Sequence, residues 1–207
     1  MKKYQIIYAD PPWSYSSGIR SSKKVGGKFQ YYTPNSTVGK NYETQKDDWI
    51  LQLPVKDVAD KDCVLFLWTT DSHLPIALKV IEAWGFEYRT IAFIWNKKEK
   101  SGKQVCYYGK WTMKGSEICL LGSKGKANSL IKSHKVRQLI EADRGYHSEK
   151  PEIIRDKIVE LMGDLPRIEL FARKENKLFD NFNGWDVWGN EVKSDIDFGK
   201  KVAYQYQ

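Results

Sequence analysis

Cysteine is scarce in this chain of 207 residues: Cys63, Cys106 and Cys119 are the only three, odd in number and far apart. No Cys-x-x-Cys pair exists, which argues against a disulfide framework and against a cysteine zinc site. Long apolar runs are missing too. The mean hydropathy is −0.59, and no run approaches the ~20 residues of a membrane helix. The opening residues, Met1 to Tyr8, hold no apolar h-region and no small-residue cleavage site. No secretion signal is read there, no membrane partner is expected, and a reducing cytoplasm is the natural compartment. Acidic residues vanish from one whole stretch. Between Asp10 and Glu43 stand Arg20, Lys23, Lys24, Lys28 and Lys40, with no carboxylate among them.

What remains is ample for a core. Hydrophobic residues make up 41% and aromatics 14%, too many for a disordered chain, and the length needs no covalent staples. A single domain over 1–207 is expected. The net charge of +8 is concentrated: residues 97–155 carry 14 Lys/Arg against 6 Asp/Glu. Such clustering fits a polyanion binder. A merely solubilising surface would give the same count.

No internal repeat is visible. Gln5–Ala9 reads as a short buried strand that runs into Asp10-Pro-Pro-Trp13. Residues 14–41 show no apolar periodicity and read as a flexible substrate loop. Cys63–Thr69 is a continuous apolar run, the pattern of a central strand. A helix over about His73–Trp84 follows, with Asp71 or Ser72 to cap it, Pro75 in its first turn and Gly85 past its end. Tyr88–Asn96 and Glu117–Gly122 read as strands, and 123–147 as a basic irregular stretch. Pro151–Met162 is an amphipathic helix, with Ile154, Ile158, Leu161 and Met162 on one stripe before Gly163. Arg167–Ala172 is a further strand, and residues 192–207 form a polar tail. Strands alternating with helices predict an α/β fold with a mostly parallel central sheet. Ligands in such folds bind beyond the carboxyl ends of the strands, where Asp10 lies.

Asp10-Pro11-Pro12-Trp13 is the sharpest chemical signal. The prolines fix φ and remove backbone donors, so their carbonyls are presented without competing N–H groups. Asp10 adds a carboxylate acceptor and Trp13 a flat aromatic face. Two acceptors under a stacking platform suit the exocyclic amine of a planar base. Accepting both hydrogens makes the nitrogen more pyramidal and frees its lone pair for attack on a methyl sulfonium. No strong base is needed, because the nitrogen becomes acidic once methylated. Catalysis would rest on orientation and electrostatics. By themselves the four residues are also compatible with an Asp-Pro turn and a buried Trp.

With these residues in place the chain resembles the N6-adenine methyltransferases related to the catalytic subunit of the eukaryotic mRNA adenosine methyltransferase, a group with bacterial and phage members. The likeness runs from about Ile6 to Asn190. It is carried by Ala9–Trp13, Tyr42–Thr44, Leu65–Trp68, Trp84–Phe86, Trp95, Gly109–Trp111, Glu117–Gly122, His147–Pro151, Glu169–Arg173 and Trp188–Asn190 in that order. The resemblance implies a Rossmann-like methyltransferase fold with permuted motif order and S-adenosylmethionine as cofactor. It implies that Asp10, Lys150, Glu169, Leu170, Phe171, Arg173, Asn176, Asn190 and Glu191 line the cofactor pocket. Lys150 and Arg173 would hold a carboxylate or ribose hydroxyls through charge-assisted bonds. Trp13 and Tyr42 would flank the target base. One relative contacts the cofactor from a strand upstream of the motif; here only nine residues precede Asp10, so that contact is expected to be absent or replaced. Glu175 and Glu191 stand where that relative has His and Gln.

A base inside a duplex hides its amine, so the enzyme must turn it out or use an unpaired strand. Tyr15, Arg20, Lys23, Lys24, Lys110, Trp111 and His147 are the candidate substrate contacts, with 97–147 as a basic contact region that mixes lysines with Tyr107, Tyr108 and Trp111. No appended recognition domain is seen. The short chain looks bacterial or phage, which favours DNA adenine over RNA. RNA N6-adenosine methylation is the stronger alternative and N4-cytosine methylation the lesser. A non-catalytic nucleic-acid-binding adaptor subunit is the reading of another class, and the intact tetrad Asp10–Trp13 counts against it. Relatives work in pairs, so a homodimer or a heteromeric partner is expected.

Overall fold

The apolar runs pair into one sheet. In the computed structural model, residues 2–14, 21–25, 28–32, 47–109, 111–145, 149–173, 182 and 184–199 are described. The strands are β1 (Tyr4–Ala9), β2 (Ser21–Val25), β3 (Lys28–Tyr32), β4 (Ala59–Thr69), β5 (Glu87–Lys98), β6 (Ser116–Lys124), β7 (Leu139–Asp143), β8 (Arg167–Leu170) and β9 (Asp186–Trp188). The helices are α1 (Asp47–Gln52), α2 (Leu74–Ala83) and α3 (Ile153–Met162). Seven strands form the main sheet in the order β7-β5-β6-β4-β1-β8-β9. β1 pairs in parallel with β4 and β8, β8 with β9, and β5 with β7. β6 alone runs against its neighbours β4 and β5. The expected mostly parallel sheet is therefore present, with one reversed strand inside it.

Side-chain alternation along β4 divides the core in two. Cys63, Leu65 and Leu67 face a cluster with Ile50 of α1 and Ala77, Val80 and Ile81 of α2. Val64, Phe66 and Trp68 face the other side, with Ile154, Ile158 and Met162 of α3. A central strand buried on both faces needs this unbroken apolar run. Burying each such side chain is worth about 1.5–3 kcal/mol as an upper estimate. The layers are helix, sheet and helix, as the alternation of elements predicts. The indole N–H of Trp84, at the end of α2, donates to the carbonyl of Ile50 over 2.8 Å and ties α2 to α1.

Several local expectations change. Residues 21–32, read from sequence as part of an irregular loop, contain the antiparallel pair β2–β3. The basic stretch 123–147 contains β7, which lies on the sheet edge. The α2 helix starts at Leu74 after a 3-10 turn over Asp71–His73, and its N-cap position is His73 without a side-chain cap bond. Asp71 Oδ1 instead accepts the N–H of Ser72 over 2.9 Å. Both helices end at glycines with positive φ, Gly85 at 83° and Gly163 at 88°, as their sequence positions predict. No helix among the described residues is long and apolar enough to cross a membrane.

Candidate active site

The carboxyl ends of β1, β4 and β8 lie on one edge of the sheet, because these strands are parallel neighbours. Reversal of β6 brings its amino end to the same edge, with Ile118 opposite Thr69. Four charged side chains from distant segments meet there. Asp10 follows β1, Glu117 opens β6, Lys97 closes β5, and Lys150 precedes α3. The Lys150 ammonium lies 2.7 Å from Asp10 Oδ2 and 3.2 Å from Glu117 Oε2. Glu117 Oε1 accepts from Lys97. The row alternates in sign, Asp10, Lys150, Glu117, Lys97.

The Lys150 side chain is only 9% exposed, and its ammonium sits 5.6 Å from the Trp68 ring centre. A charge this buried persists only with partners. Burial would lower the Lys150 pKa, but the carboxylates of Asp10 and Glu117 outweigh it and hold the ammonium above the ordinary lysine range. For Glu117, burial pushes up, and Lys150 and Lys97 together pull it below the usual carboxylate value. Neither Lys97 nor Glu117 was picked out from the sequence as a site residue. The only trace there is an acidic residue opening the apolar run Glu117–Gly122.

The tetrad folds back on itself. The Trp13 N–H donates to the carbonyl of Pro11 over 2.9 Å and closes a three-residue turn. The expectation that this carbonyl has no competing donor is thus corrected; one lone pair is used and the second remains. Trp13 is 4% exposed. Its indole N–H donates to the carbonyl of Trp68 over 3.0 Å, and its ring stacks on His73 at 6.0 Å and 22°. The expectation that Trp13 offers an open face to a base is corrected as well. A buried indole requires an acceptor and neighbours on its faces, and Trp68 and His73 supply both. His73 in turn contacts Thr70 Oγ1 through Nδ1 at 2.8 Å and the Ser14 carbonyl through Nε2 at 3.1 Å. His73 therefore clamps the segment that follows the prolines, a role its lone place in the sequence did not reveal.

Across the edge, Glu169 projects toward α3, where Arg155 Nε meets its Oε2 at 2.6 Å. Its carboxylate, expected to serve a cofactor directly, is engaged by this cation. The Leu170 side chain is fully buried in the core, so it is its backbone that can face a ligand. Phe171 adopts φ 64°, unique among the described non-glycine residues. Its ring packs against Trp188 at 5.5 Å, Trp49 at 6.2 Å and Trp84 at 6.5 Å. A non-glycine residue in this region costs about 1 kcal/mol or more and persists where packing over-determines it. Next to it the N–H of Ala172 donates to the carbonyl of Trp188 over 2.9 Å. Gly189 lies so close that an added Cβ would meet Ala172 O at 2.1 Å. Arg173 is half-buried beyond this turn, and Asn190 and Glu191 are exposed after β9.

Trp111 is 90% exposed at the tip of the β5–β6 connection. Lys23 and Lys24 lie in β2 opposite Gln30 and Phe29. Tyr15, Arg20, Tyr42, Lys110, His147, Glu175 and Asn176 lie outside the described residues. Among the described residues no cluster of His, Cys, Asp and Glu could hold a metal.

Besides the charged row of Asp10, Lys150, Glu117 and Lys97, Arg173 follows β8 and Asn190 and Glu191 follow β9. Residues of these types can hold a ligand with a carboxylate, an ammonium and hydroxyl groups. The comparisons agree with this chemistry. The MT-A70 family model matches residues 4–191. The chain is 39% identical over 197 residues to a Type II methyltransferase, M.MunI, of Mycoplasma sp, covering 92% of this chain and 78% of the relative. It is 27% identical over 192 residues to the N(6)-adenosine-methyltransferase catalytic subunit METTL3 of Homo sapiens, covering 92% of this chain and 28% of that protein. It is 27% identical over 208 residues to the N(6)-adenine-specific methyltransferase METTL4 of Homo sapiens, covering 92% of this chain and 38% of that one. With a sheet whose carboxyl edge gathers the Asp-Pro-Pro-Trp turn and its ammonium partner, the chain belongs to the MT-A70 family of methyltransferases.

Proposed function

We propose that this chain transfers a methyl group from S-adenosylmethionine to the N6 amine of adenine at specific sites in DNA. The observation that carries the reading is Asp10 at the end of β1, its carboxylate held by Lys150 at 2.7 Å. Asp10 Oδ1 and the second lone pair of the Pro11 carbonyl accept the two hydrogens of the amine. The nitrogen lone pair is then turned toward the methyl donor. When bound, S-adenosylmethionine supplies an electrophilic methyl carbon, and the C–S electron pair stays with sulfur as the N–C bond forms. The methylated nitrogen sheds its extra proton to water. Lys150 fixes the carboxylate, and His73 with Trp13 fixes the turn, so that little reorganisation accompanies the reaction.

Lys150, Arg173, Asn190, Glu191 and, from the resemblance, Asn176 would hold the cofactor. The backbone at Leu170 and Phe171 would border it. Tyr42 remains the candidate neighbour of the base, and Arg20, Lys23, Lys24 and Lys110 the candidate phosphate contacts. DNA is favoured over RNA because identity is higher to a Type II methyltransferase, at 39%, than to the adenosine-methylating catalytic subunit, at 27%. Work as a homodimer or with a partner subunit, in a bacterial cytoplasm, completes the proposal.

The test is methyl transfer from S-adenosylmethionine to duplex DNA, single-stranded DNA and RNA, read by nucleoside mass spectrometry. N6-methyladenine in DNA supports the reading, with loss in Asp10→Ala. Product in RNA alone overturns the substrate. N4-methylcytosine overturns the base, and no product from any nucleic acid favours a binding-only subunit.

A further inference from the structure

Backbone hydrogen bonds among its described residues anchor the connection between β5 and β6. The Tyr107 N–H donates to the Lys114 carbonyl over 2.7 Å, and the Lys114 N–H returns to the Tyr107 carbonyl over 2.9 Å. Below this closure the Val105 N–H donates to the Lys97 carbonyl over 2.9 Å, and Val105 is buried. Beyond it the tip carries three large apolar side chains in solvent: Tyr108 at 93%, Trp111 at 90% and Met113 at 55% exposure. Scattered apolar residues on a surface need no explanation, but a group of them on an anchored projection does.

The base of the loop is tied to the catalytic edge. Lys97, which pairs with Glu117 in the charged row, lies 5.8 Å from the Tyr107 ring centre. Arg144 Nη1 donates to the Tyr107 hydroxyl over 3.2 Å. Lys114 Nζ lies 2.8 Å from Asp71 Oδ2, two residues before the His73 that stacks on Trp13. The surroundings are basic, within the stretch of 14 Lys/Arg and 6 Asp/Glu over residues 97–155. Aromatic faces over a cationic base complement a nucleic acid rather than an apolar protein surface. Asp10 itself is recessed, so a paired base must leave its stack to reach it. Its departure leaves a gap that apolar side chains can fill.

We infer that the tip of the β5–β6 loop is a stacking wedge: Trp111, assisted by Tyr108, enters duplex DNA beside the target adenine and occupies the space the turned-out base vacates. This rests on the proposed adenine-methylating function and assigns how the duplex is opened.

The experiment compares wild type, Trp111→Ala and Tyr108→Ala on a duplex and on the single strand of the same sequence, which requires no opening. A duplex with 2-aminopurine at the target position reports base exit by its fluorescence. The exposed side chains can be removed without unfolding, and matched circular-dichroism melts check this. Trp111→Ala is expected to lower kcat/KM on the duplex about tenfold or more, with a much smaller loss on the single strand, and to suppress the fluorescence rise. Equal losses on both substrates overturn the wedge, as do unchanged duplex rates. A shift in sedimentation that accounts for the loss assigns the tip to contact between protein copies and also overturns it. Wild type active only on single strands overturns the wedge while leaving the methyl-transfer reading intact. Wild type inactive on every nucleic acid overturns the functional reading instead, and the wedge with it.

Discussion

Lys150 Nζ and Asp10 Oδ2 are 2.7 Å apart although 140 positions separate the two residues in the chain. The pair joins the turn after β1 to the start of α3, and it places a cation beside the carboxylate proposed to receive the amine. Asp10→Asn keeps the shape of the side chain but replaces an acceptor oxygen by a donor. It is expected to lower kcat on the order of 10²–10³-fold, the loss typical when one group tuned to the transition state is removed. Methyl incorporation into oligonucleotide measures this, and a residual rate within threefold of wild type would refute the role.

Glu117 stands between two cations, so its removal leaves Lys150 and Lys97 without their shared anion. Glu117→Gln is expected to cost about 3 kcal/mol of stability at pH 7, the lower range for breaking a buried pair. The sign with pH follows from the lowered folded-state pKa of Glu117. Its contribution is complete above the unfolded carboxylate pKa of about 4.3 and is lost as pH falls through the folded value. Urea titrations of both proteins should therefore converge on acidification below pH 4. A gap that persists undiminished at pH 3 would contradict the ionic origin.

His73 acts on Trp13 and Ser14 rather than on a reacting atom. His73→Phe keeps a ring against the indole and removes the ring-nitrogen hydrogen bonds, whereas His73→Ala removes everything. The expected order of kcat is wild type, then Phe, then Ala, with cofactor affinity by calorimetry unchanged within about threefold. A fall in cofactor affinity with kcat intact would instead place His73 at the cofactor.

The three thiols should differ sharply. Burial pushes Cys63 up to about 12, and it raises Cys119 well above the ordinary thiol value, with Asp10 adding to the effect. Cys106 is exposed. Only thiolates react readily. A colorimetric thiol titration of the native protein is expected to find one fast thiol, lost in Cys106→Ser, and three after denaturation.

Local pattern and long-range geometry were not equally legible. β1, β4, β6 and α3 announce themselves, since two-sided burial and a helical stripe leave continuous or periodic apolar runs. β7 does not: its residues Leu-Ile-Glu-Ala-Asp alternate at a sheet edge and only Ile140 is buried. α1 is six residues long and owes its place to Ile50 in the core and to the Trp84 indole. The Asp10–Trp13 turn was legible because its four residues are contiguous. Its true surroundings were not: Trp13 meets Trp68 across 55 positions and His73 meets Ser14 across 59, and no spacing rule links such partners. The same holds for Glu169, whose cation Arg155 comes from α3.

β1 lies inside the sheet, between β4 and β8. The ribosome makes β1 first, yet β8 begins only at Arg167. At ~5–20 residues per second the interval is roughly 8–30 s. Through that time one flank of Tyr4–Ala9 has no strand to bind, although β4 can already cover the other. An unpaired, apolar edge of this kind recruits foreign strands. Nascent chains stalled before about residue 170 are therefore the species most in need of a chaperone, and the methyltransferase acquires its finished edge only once β8 is made.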